Sequence, residues 1–573
     1  MKKNFFGKLF GLTLLMFTLL FTGASAETYE GTGLGYDKDG IVLDVEITNN
    51  KIVDVKVKRA KESEFATSAI QKIAKKVIAT QSLDVDGVSG ASLTSEGTKE
   101  AIEEAVKKSG ITLTTVTVQN TKAVELPKEA DVVVIGAGGA GLTSAIAAHE
   151  KGAKVILIEK TELLGGNTNY ATAGLNAAGT KIQEKLGIKD SPELFYEDTM
   201  KGGKNKNNKE LVRVLVNNSS AIVDWLTERG ADLSELTSTG GQSVKRTHRP
   251  TGGSAVGPNI VAALSKTAEN EKIDIRKGTK AIALVKTKNR IVGVKVREID
   301  GKEYTIKAKA VIVATGGFGA NAKMVEKYNP KLKGFGSTNN PAIVGDGIIM
   351  VEKVGGALVD MSEIQTHPTV VHNKTNMITE AVRGEGAILV NRDGKRFIDE
   401  LETRDVVSKA ILSQKGKSAF LIFDEDIRTK LKAADGYVKK GFAVEGTLEE
   451  IAAKIGTDAK TLEATLNKYN EAVKNKVDSE FNKKTLPKEL TGTKYYAIEV
   501  SPAVHHTMGG VRINTNAEVL GKNGRPIKGL YAAGEVTGGI HGANRIGGNA
   551  VADITIFGKI AGENAAIYSK SVK

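Results

Sequence analysis

The hydrophobic and polar residues near the start of this 573-residue chain alternate in two short runs, Ile41–Thr48 and Lys51–Val57. An Asn-Asn pair at 49–50 separates the runs. Alternation with a period of two is typical of half-buried strands, and Asn at a two-residue connection favours a tight turn. The pattern therefore predicts a β-hairpin, followed by one helix over Phe65–Ala79 and a second that ends near residue 108.

A different pattern begins at Val132–Ile135, where four apolar residues are continuous, as in a parallel strand buried on both faces. The G-x-G-x-x-G spacing follows: Gly136 allows a tight turn, Gly138 lets backbone approach a pyrophosphate, and Gly141 lets a helix pack on the strand. The phosphate would lie at the helix N-terminus. Glu159 ends the next strand, where a carboxylate can accept from a ribose hydroxyl. The whole context indicates a dinucleotide site, and a glycine turn that only packs is the alternative.

The first 26 residues have the pattern of a secretory signal. Lysines at 2, 3 and 8 form a basic region, Leu9–Phe21 is apolar, and Ala-Ser-Ala at 24–26 is a cleavage site. The alternative is an uncleaved membrane anchor, although the apolar run is short for a span. We therefore expect an extracytoplasmic protein, held in the cell envelope, secreted or periplasmic.

The amino-acid composition excludes several kinds of redox centre and argues against one class of partner. Because the chain contains no cysteine, it has no disulfide, no thiolate-bound iron–sulfur cluster and no C-x-x-C-H haem attachment. The formal net charge is +14, but the lysines are scattered and tryptophan occurs once. This distribution favours a solvated surface suited to an anionic envelope or anionic substrates, and it argues against nucleic-acid binding.

Several motifs together resemble the fumarate reductase and succinate dehydrogenase flavoprotein family, in particular its exported flavocytochrome c branch. They are GAGGAG at 136–141, GGNT at 165–168, ATGGFG at 314–319, QTHPT at 365–369, TEAVRGEG at 379–386, HHTMGG at 505–510, AAGE at 532–535 and GANRIGGNA at 542–550. The resemblance implies non-covalent FAD rather than NAD. Its FAD contacts would be Gly136, Gly138, Ala140, Gly141, Glu159, Asn167, Thr168, Ala173, Gly174, Asp346, His506, Glu535, Ala550 and Val551.

A second resemblance concerns the N-terminal unit, whose segment DGVSGASLT at 86–94 is similar to domains that carry FMN as a phosphoester on threonine. Gly90 and Ala91 would let backbone approach the flavin phosphate. Thr94 would supply the hydroxyl just before a helix start, where phosphate is favoured. The alternative is a Ser/Thr helix cap. The resemblance implies covalent FMN on Thr94, attached by a flavin transferase, in the position that a haem domain occupies in related exported enzymes.

The reduction of an alkene between two carboxylates needs cations to hold the dianion, a hydride donor at one carbon and an acid at the other. The resemblance assigns Arg404 as the proton donor, with Glu380 and Arg383 passing protons to it. The residues expected to bind the substrate are His367, Thr379, His505, Arg545 and Gln365. Alternatively, a lone histidine is structural, and Glu380 with Arg383, one helical turn apart, forms only an ion pair. No metal site is predicted.

These inferences predict an α/β protein with a Rossmann-like FAD-binding domain, an inserted α+β capping domain and a small α+β FMN-binding domain before them. The expected divisions are a signal peptide at 1–26, the FMN domain at 27–118, a linker at 119–129, the FAD domain at 130–361 and 505–573, and the capping domain at 362–504.

The predicted function is reduction of fumarate to succinate, with electrons passing from a membrane-linked quinol or flavin donor through FMN to FAD. One alternative is a reductase of another enoate, such as urocanate or methacrylate. Another is a flavin electron-transfer protein without its own substrate.

Overall fold

The computed structural model describes residues 26–35, 40–60, 62, 64–88, 91–116, 126–288 and 290–572. The predicted signal lies outside the described residues except for Ala26, as do 119–125 of the predicted linker and Ser89-Gly90 of the flavin motif. Among the described residues, no helix combines the length and apolar character that a membrane span requires.

The N-terminal unit is a three-stranded antiparallel sheet covered by two helices. The hairpin and both helices were predicted, whereas the first strand, which precedes the hairpin, was not. The hairpin turn falls at Asn49 and Asn50, whose φ angles of 51° and 61° suit a tight turn between twisted strands. A Cβ at Gly31 would lie 1.8 Å from the carbonyl oxygen of Ala101, so this glycine allows the second helix to pack directly on the first strand. The elements are β1 (Glu27–Gly33), β2 (Ile41–Thr48), β3 (Lys51–Ala60), α1 (Glu64–Thr80) and α2 (Ser92–Ser109).

The second unit is built on an eight-stranded sheet whose central strands are parallel and buried. In order across the sheet, its strands are β10 (Thr279–Thr287), β11 (Arg290–Glu298), β21 (Pro526–Ala532), β12 (Glu303–Val313), β4 (Glu129–Ile135), β5 (Val155–Ile158) and β9 (Asp274–Arg276), with β20 (Glu518–Leu520) paired to β21. Helices α3 (Gly139–Glu150) and α17 (Asn549–Ser571) cross closely, because a Cβ at Gly562 would lie 2.3 Å from the Ser144 carbonyl oxygen.

Shorter helices and strands surround this sheet and complete the second unit. The helices are α4 (Lys181–Lys185), α5 (Pro192–Gly202), α6 (Lys209–Asn217), α7 (Ser219–Glu228), α8 (Val256–Asn270), α9 (Ala322–Tyr328) and α10 (Asp346–Lys353). The strands form two small sheets, β6 (Leu175–Asn176) with β7 (Glu235–Thr237) and β8 (Thr247–Arg249), and β13 (Leu358–Val359) with β19 (Gly510–Arg512) and β22 (Thr537–Gly538).

The inserted unit has its own hydrophobic core between a five-stranded sheet and a set of helices. The strands are β14 (Ile364–Val371), β15 (Ile388–Val390), β16 (Ala419–Asp424), β17 (Val444–Gly446) and β18 (Tyr495–Thr507). The helices are α11 (Glu380–Gly384), α12 (Arg404–Leu412), α13 (Glu425–Lys430), α14 (Lys432–Lys439), α15 (Leu448–Ile455) and α16 (Ala459–Asn475). This arrangement confirms the predicted fold class of an α/β unit with an α+β insertion behind a small α+β domain.

Candidate functional site

The glycine turn after β4 opens a cleft at the carboxyl end of the parallel strands. Gly136 has a φ of 97°, and a Cβ there would lie 2.6 Å from the Ala314 carbonyl oxygen, so glycine is required at this position. Helix α3 starts at Gly139 without a side-chain cap. Gly138 keeps the approach open, since a Cβ there would meet no protein atom closer than 3.7 Å. The Gly139 N–H donates to Thr168 Oγ1 at 3.0 Å, and the N–H groups that follow it in the first turn of α3 would suit a pyrophosphate.

Most residues predicted to contact FAD line this cleft. They are Gly136, Gly138, Ala140, Glu159, Asn167, Thr168, Ala173, Gly174, Asp346, His506, Glu535, Ala550 and Val551. Gly141, which the resemblance also placed among the FAD contacts, does not line the cleft. A Cβ there would lie 1.7 Å from the Gly136 carbonyl oxygen, so this glycine allows the helix–strand packing that its place in the motif predicted.

The carboxylate of Glu159 is fixed at the end of β5. Its two oxygens accept backbone N–H groups from Ala137 and Thr161, each at 2.8 Å, and the side chain is 8% exposed. The Thr161 hydroxyl also donates to Glu159 Oε1, at 2.9 Å. These bonds hold the carboxylate at the cleft wall and leave a lone pair on Oε2 that a ribose hydroxyl can use.

Several cleft residues were not predicted from the sequence, among them Thr338, Asn340 and Met377. Thr338 Oγ1 lies 2.7 Å from His505 Nδ1, and the Asn340 backbone N–H donates to Asn167 Oδ1 at 2.8 Å. These residues lie in segments without a recognisable glycine or charge motif, so nothing in their local sequence indicated a role.

At one end of the cleft the three predicted proton-transfer residues come together. Arg404, at the start of α12, donates from Nε to Glu380 Oε1 at 2.6 Å and from Nη1 to Gln365 Oε1 at 3.2 Å. Arg383 Nη2 lies 3.7 Å from the same oxygen of Glu380, and Arg383 Nη1 donates to the Glu400 carbonyl oxygen at 2.5 Å. One carboxylate therefore lies between two guanidiniums that come from different helices.

The charge states in this buried region follow from burial and from the arginines. Burial alone would raise the pKa of Glu380, but Arg404 and Arg383 outweigh it and hold the pKa at about 2. Burial, reinforced by Arg404, lowers the pKa of both His367 and His505 well below the usual value. At neutral pH Glu380 is consequently charged and the two imidazoles are neutral.

The predicted substrate-binding residues lie around the same point. The rings of His367 and His505 meet edge to face with centroids 5.2 Å apart. Thr379 caps α11 through its hydroxyl, which accepts from the Ala381 N–H at 3.5 Å. Gln365 Nε2 donates to the Arg545 carbonyl oxygen at 2.8 Å and so fixes the backbone that carries this arginine.

Several buried polar atoms at this site have no hydrogen-bond partner within the part of the chain that the structure describes. They include Arg545 Nε, His367 Nδ1 and His506 Nε2. Unpaired buried polar atoms are costly, so their convergence indicates that a polar ligand completes the site. Burial and the nearby Arg404 also lower the pKa of Arg545 to about 9, and the more distant carboxylates Glu535, Glu380 and Asp553 only partly oppose this shift.

Glu535 lies between the cleft and the turn after β18. It accepts from the Thr507 N–H at 3.1 Å and from Asn167 Nδ2 at 3.2 Å, and His506 Nδ1 is 3.6 Å from it. Burial raises the pKa of this carboxyl. His506 lines the cleft. The described residues contain no cluster of three or more His, Asp or Glu that could hold a metal ion.

The N-terminal motif places Thr94 inside the first turn of α2, because this helix already begins at Ser92. Thr94 is the third residue of the helix, so the prediction that it precedes the helix start was wrong. The Ala91 carbonyl oxygen accepts from the Ser95 N–H at 2.9 Å, which starts the helical bonding early. The Thr94 side chain is 2% exposed, and its hydroxyl donates to the carboxylate of Glu62. It thus still lies near the phosphate-favouring end of a helix.

Comparison with known proteins identifies two families in this chain. Residues 131–551 match the family described as FAD binding domain, and residues 35–107 match the FMN-binding domain family. A solved flavocytochrome c3 fumarate reductase in an open conformation superposes with a TM-score of 0.68 at 44% identity, covering 77% of this chain and 78% of its own.

The curated relatives of this chain include reductases of fumarate and of urocanate. A cytochrome-type fumarate reductase of Shewanella frigidimarina is 52% identical over 77% of this chain and 77% of its own length. The NADH:fumarate oxidoreductase of Klebsiella pneumoniae is 45% identical over 92% of this chain, which spans 57% of that protein. The urocanate reductase of Eggerthella lenta is 35% identical over 95% of this chain and 93% of its own length. The chain therefore belongs to the fumarate reductase family of FAD-dependent oxidoreductases that act on C=C bonds, and it carries an additional N-terminal FMN-binding domain.

Proposed function

We propose that the protein is an exported fumarate reductase that converts fumarate to succinate. When bound, FAD would supply a hydride from N5, and FMN on Thr94 would pass electrons to it. Arg404 would deliver the proton to the other alkene carbon. The observation that carries this proposal is the charge balance of the buried pocket.

Three guanidiniums, those of Arg383, Arg404 and Arg545, converge on this pocket. Among the described residues, Glu380 supplies the carboxylate that lies within ion-pair distance of both Arg404 and Arg383. No described carboxylate lies that close to Arg545. Three guanidiniums therefore face one paired carboxylate, and positive charge is in excess even though the neighbouring histidines are neutral. A buried cation needs a partner. A dicarboxylate supplies two negative charges, and its carboxylates match the planar fork of arginine.

The same geometry supports proton delivery by Arg404. A guanidinium barely deprotonates in water, so it acts as an acid only where its proton is replaced at once. Glu380 Oε1 lies 2.6 Å from Arg404 Nε, within the range in which protons transfer, and Arg383 Nη2 lies 3.7 Å from the same oxygen. Glu380 and Arg383 would therefore reprotonate Arg404 after each turnover.

Electron supply is the second part of the proposal. The FMN-binding domain replaces the haem that a chain without cysteine cannot attach through thioether bonds. Covalent attachment at Thr94 needs a flavin transferase, and the signal-like N-terminus favours an extracytoplasmic location. The donor would then be a membrane-linked quinol or flavin carrier.

The runner-up is reduction of another enoate, and the similarity to a urocanate reductase supports it. Urocanate and methacrylate carry one carboxylate, so they would leave part of the pocket's positive charge unpaired. A flavin carrier without its own substrate would not need Arg404, Glu380 and Arg545 together in a buried pocket.

A panel of acceptors tests the proposal directly. Purified protein with reduced viologen should reduce fumarate with a higher kcat/KM than urocanate, crotonate or methacrylate, because only fumarate supplies two carboxylates. Rapid reduction of urocanate with no reduction of fumarate would overturn the assignment of fumarate as the substrate and would leave the assigned fold and cofactors unchanged. Reduction of none of them would favour the carrier.

Arg545→Ala is expected to raise the KM for fumarate, because it removes a charge-assisted hydrogen-bond donor from a desolvated carboxylate. Such bonds contribute about 1.5 to 3 kcal/mol, so the rise should be roughly 10- to 200-fold. Steady-state kinetics with reduced viologen measure it. Arg525→Ala, at an exposed position in the same unit, is the control and should leave KM unchanged. An unchanged KM in Arg545→Ala would exclude this arginine from the carboxylate site.

A further inference from the structure

One acidic residue of the FAD-binding unit connects to the N-terminal domain. Glu162 Oε1 lies 3.2 Å from Lys76 Nζ, and the Glu162 carbonyl oxygen accepts from Lys72 Nζ at 2.5 Å. Both lysines belong to α1 of the FMN-binding domain. The side chains are only 19% to 33% exposed, so solvent screens these interactions less than an ordinary surface pair.

The position of Glu162 relates this contact to the FAD cleft. The preceding residue, Thr161, lines the cleft and donates its N–H to the cleft carboxylate Glu159. The two following leucines pack in opposite directions: Leu163 against the core of the N-terminal domain and Leu164 against the core of the FAD-binding unit. Segment 161–164 is thus shared by the two units.

The other end of the contact leads to the FMN motif. Lys76 Nζ also donates to the carbonyl oxygen of Asp86 at 3.1 Å, and Asp86 is the first residue of the motif that ends at Thr94. Later in this motif, the Val88 N–H donates to Ser95 Oγ at 2.9 Å on α2. A single lysine therefore contacts the loop of one flavin site and the segment bordering the other.

We propose that Glu162, Lys72 and Lys76 form a docking junction that holds the FMN domain against the FAD-binding unit and so sets the rate of electron transfer between the flavins. The inference rests on the proposed FMN relay. In the step that depends on it, reduced FMN loses two electrons and two protons and bound FAD gains the same number. The three residues are positioning residues, since they fix the geometry and take no part in fumarate chemistry.

Like charges at the junction make it sensitive to charge reversal. Burial, with Lys277 and Lys76 as neighbouring cations, lowers the pKa of Lys72, while Glu162 opposes this shift. Glu162→Lys would add a fourth ammonium group to those of Lys72, Lys76 and Lys277 and would remove the anion that lies among them. The docked arrangement should then open, although neither flavin site loses a residue of its own.

Stopped-flow mixing of fully reduced, double-flavin protein with fumarate tests the junction. In the wild type, FAD reoxidation should form a first phase and FMN reoxidation through FAD a second. Glu162→Lys should slow the second phase at least tenfold and leave the first phase and the flavin content unchanged. Glu103→Lys is the matched control, because Glu103 pairs only with Lys107 on the exposed face of α2 among the described ion pairs, and it should leave both phases at the wild-type rate.

A second readout does not need the flavins. In Thr94→Ala protein, which lacks FMN, Glu162→Lys should increase amide hydrogen exchange in peptides covering 64–80 and 160–164. An unchanged second phase with unchanged exchange would overturn the junction and leave the relay intact. A wild-type protein that carries no FMN, or that reoxidises in one phase, would overturn the relay and the junction together.

Discussion

Arg404→Ala is expected to abolish fumarate turnover while FAD still binds and is still reduced. The reason is that Arg404 has the only guanidinium in the described site that touches both Glu380 and Gln365, so no neighbour occupies its position. Loss of a positioned acid costs about 100- to 10,000-fold in rate. The loss should reach or exceed the upper figure, because Arg404 also lines the cleft where substrate would bind.

Steady-state assays with reduced viologen measure this loss, and anaerobic titration with dithionite follows FAD reduction separately. Arg392→Ala is the control, since Arg392 pairs with Glu499 away from the cleft and should keep the wild-type rate. Turnover of Arg404→Ala at the wild-type rate would remove the proton-donor role from this residue and require a different acid.

Thr94→Ala is expected to eliminate covalent FMN and, with it, turnover driven by the natural donor. The substitution deletes the hydroxyl that would carry the phosphoester and changes little else in the fold, because Thr94 makes its side-chain bond only to Glu62 among the contacts described. Turnover with reduced viologen should persist, since a small donor can reduce FAD directly. Mass spectrometry of the peptide that contains residue 94 detects the FMN adduct.

Expression in a host with a flavin transferase is needed for this comparison. Thr98→Ala, one turn further along α2, is the control and should retain the adduct, because the Thr98 hydroxyl donates to the Thr94 carbonyl oxygen rather than to a flavin site. Covalent flavin that survives in Thr94→Ala would place the attachment elsewhere.

The sequence predicted the elements whose signals are local. The continuous run Val132–Ile135 forms β4, and the helix expected over Phe65–Ala79 spans Glu64–Thr80, because apolar periodicity directly reflects burial. The G-x-G-x-x-G spacing likewise predicted that Gly141 would let the helix pack on the strand, and a Cβ there would lie 1.7 Å from the Gly136 carbonyl oxygen. The family's motifs also led to the cluster of Arg404, Glu380 and Arg383, whose ion pairs join two separate helices.

Other features depend on contacts between distant segments, and no local pattern encodes them. Thr338 contacts His505 across 167 positions, and Lys76 reaches Glu162 across 86. In sequence, a threonine or a lysine in such places looks like any solvent-exposed polar residue. The start of α2 at Ser92 depends on the Ala91 and Val88 carbonyl bonds, which side-chain capping preferences do not reveal.

Single-turnover reoxidation by fumarate tests the central claim most directly. Reduced protein, prepared anaerobically and mixed with one equivalent of fumarate for each reduced flavin, should recover the absorbance of oxidised flavin and yield one equivalent of succinate for each electron pair lost. Flavin that stays reduced in fumarate but reoxidises rapidly with a monocarboxylate enoate would contradict the proposed substrate and the charge argument on which it rests.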